Sequence, residues 1–177
     1  ETPQRVRLLV DEDGPRVEAT SVTVGPHFPM DVETAPKLVC LDLQPSMHSA
    51  DALLRHKTLW RGAYDAARSR VLNLRGSAPA ELFDVVLYNE RLEVTETSIA
   101  NIAIESNSGW LTPPLSCGLL PGVMRSRLLS EGIIREGVVT TNDLVSRASA
   151  GGRLLCFNSV RGAYLVSLVN PGRGVRP

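Results

Sequence analysis

Lysine is nearly missing from this chain. Its 177 residues include 19 basic ones, yet only Lys37 and Lys57 are lysines. Arginine carries the ordinary positive charge, so the lysine in "RHKTLWR" (55–61) asks for a reason of its own. Other shortages close off classes of function. Cys40, Cys117 and Cys156 stand far apart and are odd in number. They make no disulfide framework, and a reducing, cytoplasmic compartment is the expectation. His27, His48 and His56 are equally scattered, and with no paired cysteines they offer no metal-ligand spacing. No apolar run approaches the roughly 18 residues that a membrane helix needs. The opening "ETPQRVR" has no apolar block of the kind found in signal peptides. Formal net charge is zero and no long basic run exists, so neither nucleic acid nor membrane is an expected partner. There is no G-x-S-x-G elbow, P-loop or dinucleotide fingerprint.

What remains is an ordinary globular composition, 43% hydrophobic and 21% charged. The length suits one domain with a substantial core. The chain opens on Glu1 rather than methionine, which reads as a processed, trimmed or partial chain.

The pattern along the chain mixes strands and helices irregularly. "RVRLLVDEDGPRVEAT" (5–20) reads as two strands around a turn, and "SVTVGPHFP" breaks at its prolines. "KLVCLDL" (37–43), "LFDVVLYNE" (82–90), "IANIAIE" (99–105), "GRLLCFNS" (152–159) and "GAYLVSLV" (162–169) read as strands. "GAYDAARSRVL" (62–72) suits a helix burying Ala63, Ala66, Ala67 and Val71, with its arginines outward. A second helix is expected from just after Pro121-Gly122 to near Gly137, and a third over 140–149, capped by Thr141 or Asn142. "GSAPAE" (76–81) reads as a linker and 171–177 as a tail. Strands outnumber helices, which gives an α/β class of mixed α+β character.

Four stretches carry candidate chemistry. A lysine amine flanked by His56 and Arg61 sits in a field that favours loss of its proton. In "EVTETSIANI" (93–102), Glu96 is a candidate buried acid. Pro121-Gly122 before a helix leaves the amides of Val123 and Met124 free for an anion. "CFNSVRG" (156–162) ends a strand in a second candidate anion nest. Each also has a plain structural reading: a surface lysine, a polar turn, simple helix initiation with Arg125 and Arg127 solvated, and a second polar turn.

Taken in order, "HKT", "NE..EVTETSIANI", "LTPPLSCGLLPGVMRS" and "NSVRG" resemble the larger, C-terminal domain of fold-type IV pyridoxal-phosphate enzymes, the class IV aminotransferases. The resemblance spans residues 56–162 and is most specific at the glutamate before "SIANI" and at "LLPGVMR". It implies a pseudo-barrel domain of the D-amino-acid aminotransferase-like fold over 1–170. A smaller N-terminal domain, absent from this chain, would precede it. Lys57 stands where the family's lysine carries pyridoxal 5′-phosphate and serves as base. Glu96 stands where a carboxylate keeps the pyridine nitrogen protonated. Val123 and Met124 stand at the phosphate-holding helix start, and Ser159 and Val160 at a second phosphate contact. Arg61 and Arg161 look like supporting or substrate-side residues.

Three departures stand out. Met124 and Val160 occupy positions where members often carry threonine, and Gly62 replaces a tyrosine found five residues after the lysine in the branched-chain type. The "HKT…R..YD.AR" pattern looks closer to aminodeoxychorismate lyase-like members. The implied reaction is conversion of 4-amino-4-deoxychorismate to 4-aminobenzoate and pyruvate. The alternatives are an amino acid transaminase and a cofactor-free structural or interaction protein that keeps the fold. Expected partners are a small amino substrate, the missing N-terminal portion or a cleaved fragment, and a second copy in a homodimer.

Overall fold

A computed structural model describes residues 2–21, 35–73 and 82–169. Most of the proline-broken stretch, the linker at 76–81 and the tail at 171–177 lie outside the described residues.

The chain opens with β1 (Gln4–Asp11) and β2 (Gly14–Ser21), an antiparallel hairpin that matches the two expected strands. Pairs Val6–Ala19, Leu8–Val17 and Val10–Pro15 gather apolar side chains on one exposed face, while Leu9 turns the other way and is buried.

The remaining strands are β3 (Lys37–Leu41), β4 (Leu82–Tyr88), β5 (Val94–Thr97), β6 (Asn101–Ser106), β7 (Gly109–Thr112), β8 (Ile134–Glu136), β9 (Leu154–Asn158) and β10 (Gly162–Val169). They form one sheet in the order β5-β4-β3-β10-β9-β6-β7-β8. β3 runs parallel to β4 and β10, and β7 to β8, while the other pairs are antiparallel. The class is therefore mixed α/β, as expected.

The sheet curls into a half-barrel. β5 and β6 are far apart in the pairing order, yet they meet at a tight turn where the Thr97 amide donates to the Ala100 carbonyl. This meeting is the seam of the curl. Its concave side holds Val39, Val86, Val94, Ile102, Leu154 and Tyr164, closed over by Leu144 of α3 (Thr141–Ser149). The convex side carries two separate apolar clusters. One packs Tyr64, Ala67 and Val71 of α1 (Gly62–Leu72) on Cys40, Val85 and Leu87. The other packs Leu128 of α2 (Val123–Ser130) on Ala103, Leu155 and Phe157. β4 reads as an apolar run because both its faces are covered: Phe83 and Val86 point to the concave cluster, Val85 and Leu87 lie under α1.

Several sequence expectations are corrected. α2 stops at Ser130 rather than near Gly137. Gly132 takes the left-handed region at φ 69, its amide donates to the Leu129 carbonyl, and the Ile133 amide donates to the Leu128 carbonyl. This is a Schellman stop, completed by Ile133 and Leu128 within one apolar cluster. The chain then enters β8. The cap of α3 is Thr140, which accepts from the Asp143 amide while Asp143 accepts from the Thr140 amide. On α1 the buried stripe is Tyr64, Ala67 and Val71, and Ala66 is exposed. The α1 arginines do not all face solvent, since Arg68 and Arg70 pair with the buried Asp84 and Asp42. Arg125 is buried, donating to the Pro113 carbonyl and to Glu136 at 2.5 Å.

Candidate active site

Glu96 lies over the seam between the two convex clusters, bonded to Tyr64 of α1 and to the Leu120 amide that leads into α2. Glu96 is buried, as the acid reading of "EVTETSIANI" expects, and it lies on a strand rather than in a polar turn. β5 pairs Val86 with Thr97 and Tyr88 with Val94, so β5 advances one residue more than β4 between those pairs. This bulge breaks the alternation. Val94 joins the concave cluster, while Glu96 turns to α1 on the convex side.

Glu96 is 3% exposed. Its Oε1 accepts from the Tyr64 hydroxyl at 2.8 Å and from the Leu120 amide at 3.2 Å. Its Oε2 has a longer 3.4 Å contact from Asn101 Nδ2. Burial raises the carboxyl to about 7, against the pull of these hydrogen bonds and of the Lys57 and Arg61 charges. A buried acid whose hydrogen-bond donors are all neutral is suited to meet one more cation.

Lys57 lies close enough for its charge to act on Glu96. It is exposed, on the connection between a short 3-10 turn (Ala52–Arg55) and α1. Asp51 caps that turn by accepting from the Leu53 amide. Leu59 and Trp60 are exposed beside it.

On the other side, the chain runs from Glu96's contact directly into α2. Asn101 Nδ2 donates to the Leu120 carbonyl, and the Gly122 amide donates back to the same carbonyl at 2.8 Å. That γ-turn at Pro121 swings the backbone into the helix. Gly122 is the cap and brings no side chain to bond the first turn. The first intrahelical bond is Ser126 N to Gly122 O, so the amides of Val123 and Met124 have no partner within the helix. Val123 is exposed, whereas Met124 packs into the α2 cluster, which explains an apolar side chain there.

The 158–161 turn reaches the seam through Asn158, whose Nδ2 donates to the Ile99 carbonyl. Its Oδ1 accepts from the amides of both Val160 and Arg161. The Val160 amide is therefore committed within the turn, and Ser159 is the exposed member beside it. Arg161 lies over the Phe83 ring at 5.6 Å. Arg61 donates to the Ser98 carbonyl at 2.8 Å and stacks on Tyr64, so it braces the seam.

Sequence reasoning overlooked Tyr64, Asn101 and Arg68 in this site. Their signal was spacing: Arg61, Tyr64 and Arg68 form one helical stripe, and all three donate to β5 or to the turn after it. Among the described residues no group of three or more His, Cys, Asp or Glu is placed to hold a metal ion, and no helix is long and apolar enough to cross a membrane.

The site thus brings together a buried carboxyl, a nearby amine and a helix start with free amides. The family model for amino-transferase class IV matches residues 2–169. The chain belongs to the class IV aminotransferases. A Schizosaccharomyces pombe protein named "Putative aminodeoxychorismate lyase" is 36% identical over 133 residues, 73% of this chain and 54% of that protein. The Saccharomyces cerevisiae aminodeoxychorismate lyase is 33% identical over 126 residues, 64% of this chain and 33% of the relative. The crystal structure of a "Putative amino-acid aminotransferase" from Mesorhizobium loti superposes with a TM-score of 0.73 at 32% identity, covering 94% of this chain and 73% of that one. This class IV chain thus spans about half or less of the length of the two curated relatives. The fold-type IV expectation for the architecture holds.

Proposed function

We propose that this chain forms the pyridoxal-phosphate-binding part of a lyase of the aminodeoxychorismate type. The observation that carries the reading is Glu96, a buried carboxyl raised to about 7 with only neutral hydrogen-bond donors, beside one of the chain's two lysines. The residues present fit the cofactor. When bound, pyridoxal phosphate supplies an electron-accepting ring that stabilises negative charge at the substrate Cα.

The chain's own residues do the rest. Lys57 would hold the cofactor through its amine, and the same amine would serve as the general base that takes the substrate Cα proton. Glu96 keeps a proton on the ring nitrogen, and the nearby positive charge in turn stabilises its ionised form. Val123 and Met124 bind phosphate through their amides. Ser159 adds a second contact, and Val160 shapes the turn rather than lending its amide, already taken by Asn158. Arg61 braces the seam, and Arg161, held on the Phe83 ring, is proposed to bind a substrate carboxylate through its guanidinium.

The lyase reading is favoured over the transaminase by the names of the two curated relatives, though both belong to one family. The relatives' greater length and the exposed apolar face of the β1–β2 hairpin support a pocket completed by further polypeptide or a second copy of the chain. The test is product analysis with 4-amino-4-deoxychorismate. Release of 4-aminobenzoate and pyruvate without an amino acceptor supports the lyase. A keto acid formed only with an acceptor supports the transaminase instead.

A further inference from the structure

Tyr64 has no part in the assignments above, yet it makes the shortest hydrogen bond to Glu96, 2.8 Å against 3.2 Å from Leu120 and 3.4 Å from Asn101. Its hydroxyl is buried between α1 and the seam. The bond is directional: Tyr64 and the Leu120 amide both engage Oε1, and among the described residues Oε2 keeps only the long contact from Asn101. A carboxylate held through one oxygen presents the other.

The helix behind Tyr64 is itself fixed. Arg61 donates to the Ser98 carbonyl at 2.8 Å, and Arg68 donates to Ser98 Oγ at 3.2 Å and to Asp84 at 2.8 Å. Ser98 Oγ donates on to Asp84 at 2.5 Å. Three side chains on one stripe of α1 thus pin the end of β5. The helix begins just after Lys57, so the element that follows the lysine also orients the carboxyl.

We propose that Tyr64 is a positioning residue: it anchors Glu96 Oε1 from α1 so that Oε2 is presented to the cofactor's ring nitrogen. The inference rests on the cofactor reading above. Burial and the neighbouring carboxylate raise the Tyr64 phenol well above its ordinary value, so it stays a donor throughout the working range.

The test has an apo arm and a cofactor arm. In the apo-protein, carboxyl ¹³C NMR follows the titration of Glu96. Tyr64→Phe removes a donor to the carboxylate and is expected to raise the Glu96 pKa by about one unit. An unmoved titration overturns the proposal. Should Tyr64→Phe not fold, labelling the unaltered chain with 3-fluorotyrosine supplies a stronger donor and should lower the Glu96 pKa; no change overturns the proposal equally.

In the cofactor arm, pyridoxal phosphate is titrated against tryptophan fluorescence in a double-mutant cycle. Tyr64→Phe should weaken binding about tenfold beside Glu96 and less than about twofold in a Glu96→Gln background. Equal loss in both backgrounds, or none in either, overturns the positioning role. A wild-type chain that takes up no pyridoxal phosphate overturns the cofactor reading and this role with it. A wild-type chain that binds, with Tyr64→Phe binding just as tightly, overturns the Tyr64 role alone.

Discussion

At neutral pH the Glu96 carboxyl stands near its own midpoint, because burial raises it to about 7 from an ordinary 4.5. The folded state therefore holds this proton more tightly than the unfolded chain does. The resulting stabilisation is complete below pH 4.5 and is lost as pH rises through 7. Without cofactor, Glu96→Gln is expected to raise unfolding stability at pH 8 by about 1–3 kcal/mol, and by little near pH 4.5. Urea unfolding at the two pH values checks this. The same variant should lose affinity for pyridoxal phosphate, since a neutral amide offers no negative charge to stabilise a protonated ring nitrogen. Lys57 is exposed, so Lys57→Ala should change stability by less than about 0.5 kcal/mol. As the base, its loss should lower turnover by about 10²–10⁴-fold, measured on protein loaded with cofactor. At this scale the sequence made Lys57 and Glu96 visible through rarity and motif. Tyr64 stayed hidden because α1 was read as a stripe of alanines, in which a tyrosine's polar tip has no obvious place. Arg125 was misread for a related reason: a buried arginine is visible only with its partners, the Pro113 carbonyl and Glu136.

Elements place these residues, and two glycines fix where elements meet. Gly118 has φ 87, and a Cβ there would lie 2.8 Å from Ser49 Cα. The loop leading toward Lys57 and the loop leading toward α2 touch at that point. Asn89 Nδ2 bonds the Cys117 carbonyl, and the Arg91 guanidinium joins Ser49 to the Ser116 carbonyl. Gly118→Ala should cost about 2 kcal/mol or more, and should weaken cofactor binding as well by disturbing both loops. Gly132→Ala meets open space but keeps the left-handed strain at φ 69, so it should cost about 1 kcal/mol with cofactor binding unchanged. Thermal unfolding and fluorescence titration of the two variants separate these outcomes. Strands with apolar runs, such as β4 and β9, were legible in the sequence. β5 was not, because its buried Thr95, Glu96 and Thr97 are polar and its bulge removes the alternation that marks a strand. The end of α2 was readable at "EG" (131–132), but the helical pattern beyond it resembles a continuation because β8 returns an apolar Ile134 to the same cluster.

For the molecule as a whole, the seam links fold to site. The curl brings β5 to β6, the seam turn is gripped by Arg61, Arg68 and Asn158, and Glu96 is held there between Tyr64 of α1 and the Leu120 amide before α2. The overall architecture was legible from ordered motifs, whereas the curl depends on pairings between distant strands, which no local pattern displays. Among the described residues the pH dependence should reflect opposing carboxyls: Glu90, Glu93, Glu105 and Asp143 are held below their ordinary values by hydrogen bonds, and Glu96 is raised by burial. A hydrogen bond from Arg91 holds Glu93 down at about 2, so its stabilising contribution is present above 4.5 and is lost as pH falls toward 2. Glu96 acts in the reverse direction between 4.5 and 7. Apo-protein stability should therefore peak near pH 4.5–5, and Glu96→Gln should flatten the alkaline side. The central claim is that this chain holds pyridoxal phosphate on Lys57. With only two lysines, one experiment addresses it directly: incubate the protein with pyridoxal phosphate, reduce with borohydride, and map the adduct by peptide mass spectrometry. The account predicts one cofactor per chain, on the peptide containing Lys57. An adduct on Lys37, or none at all, would contradict it.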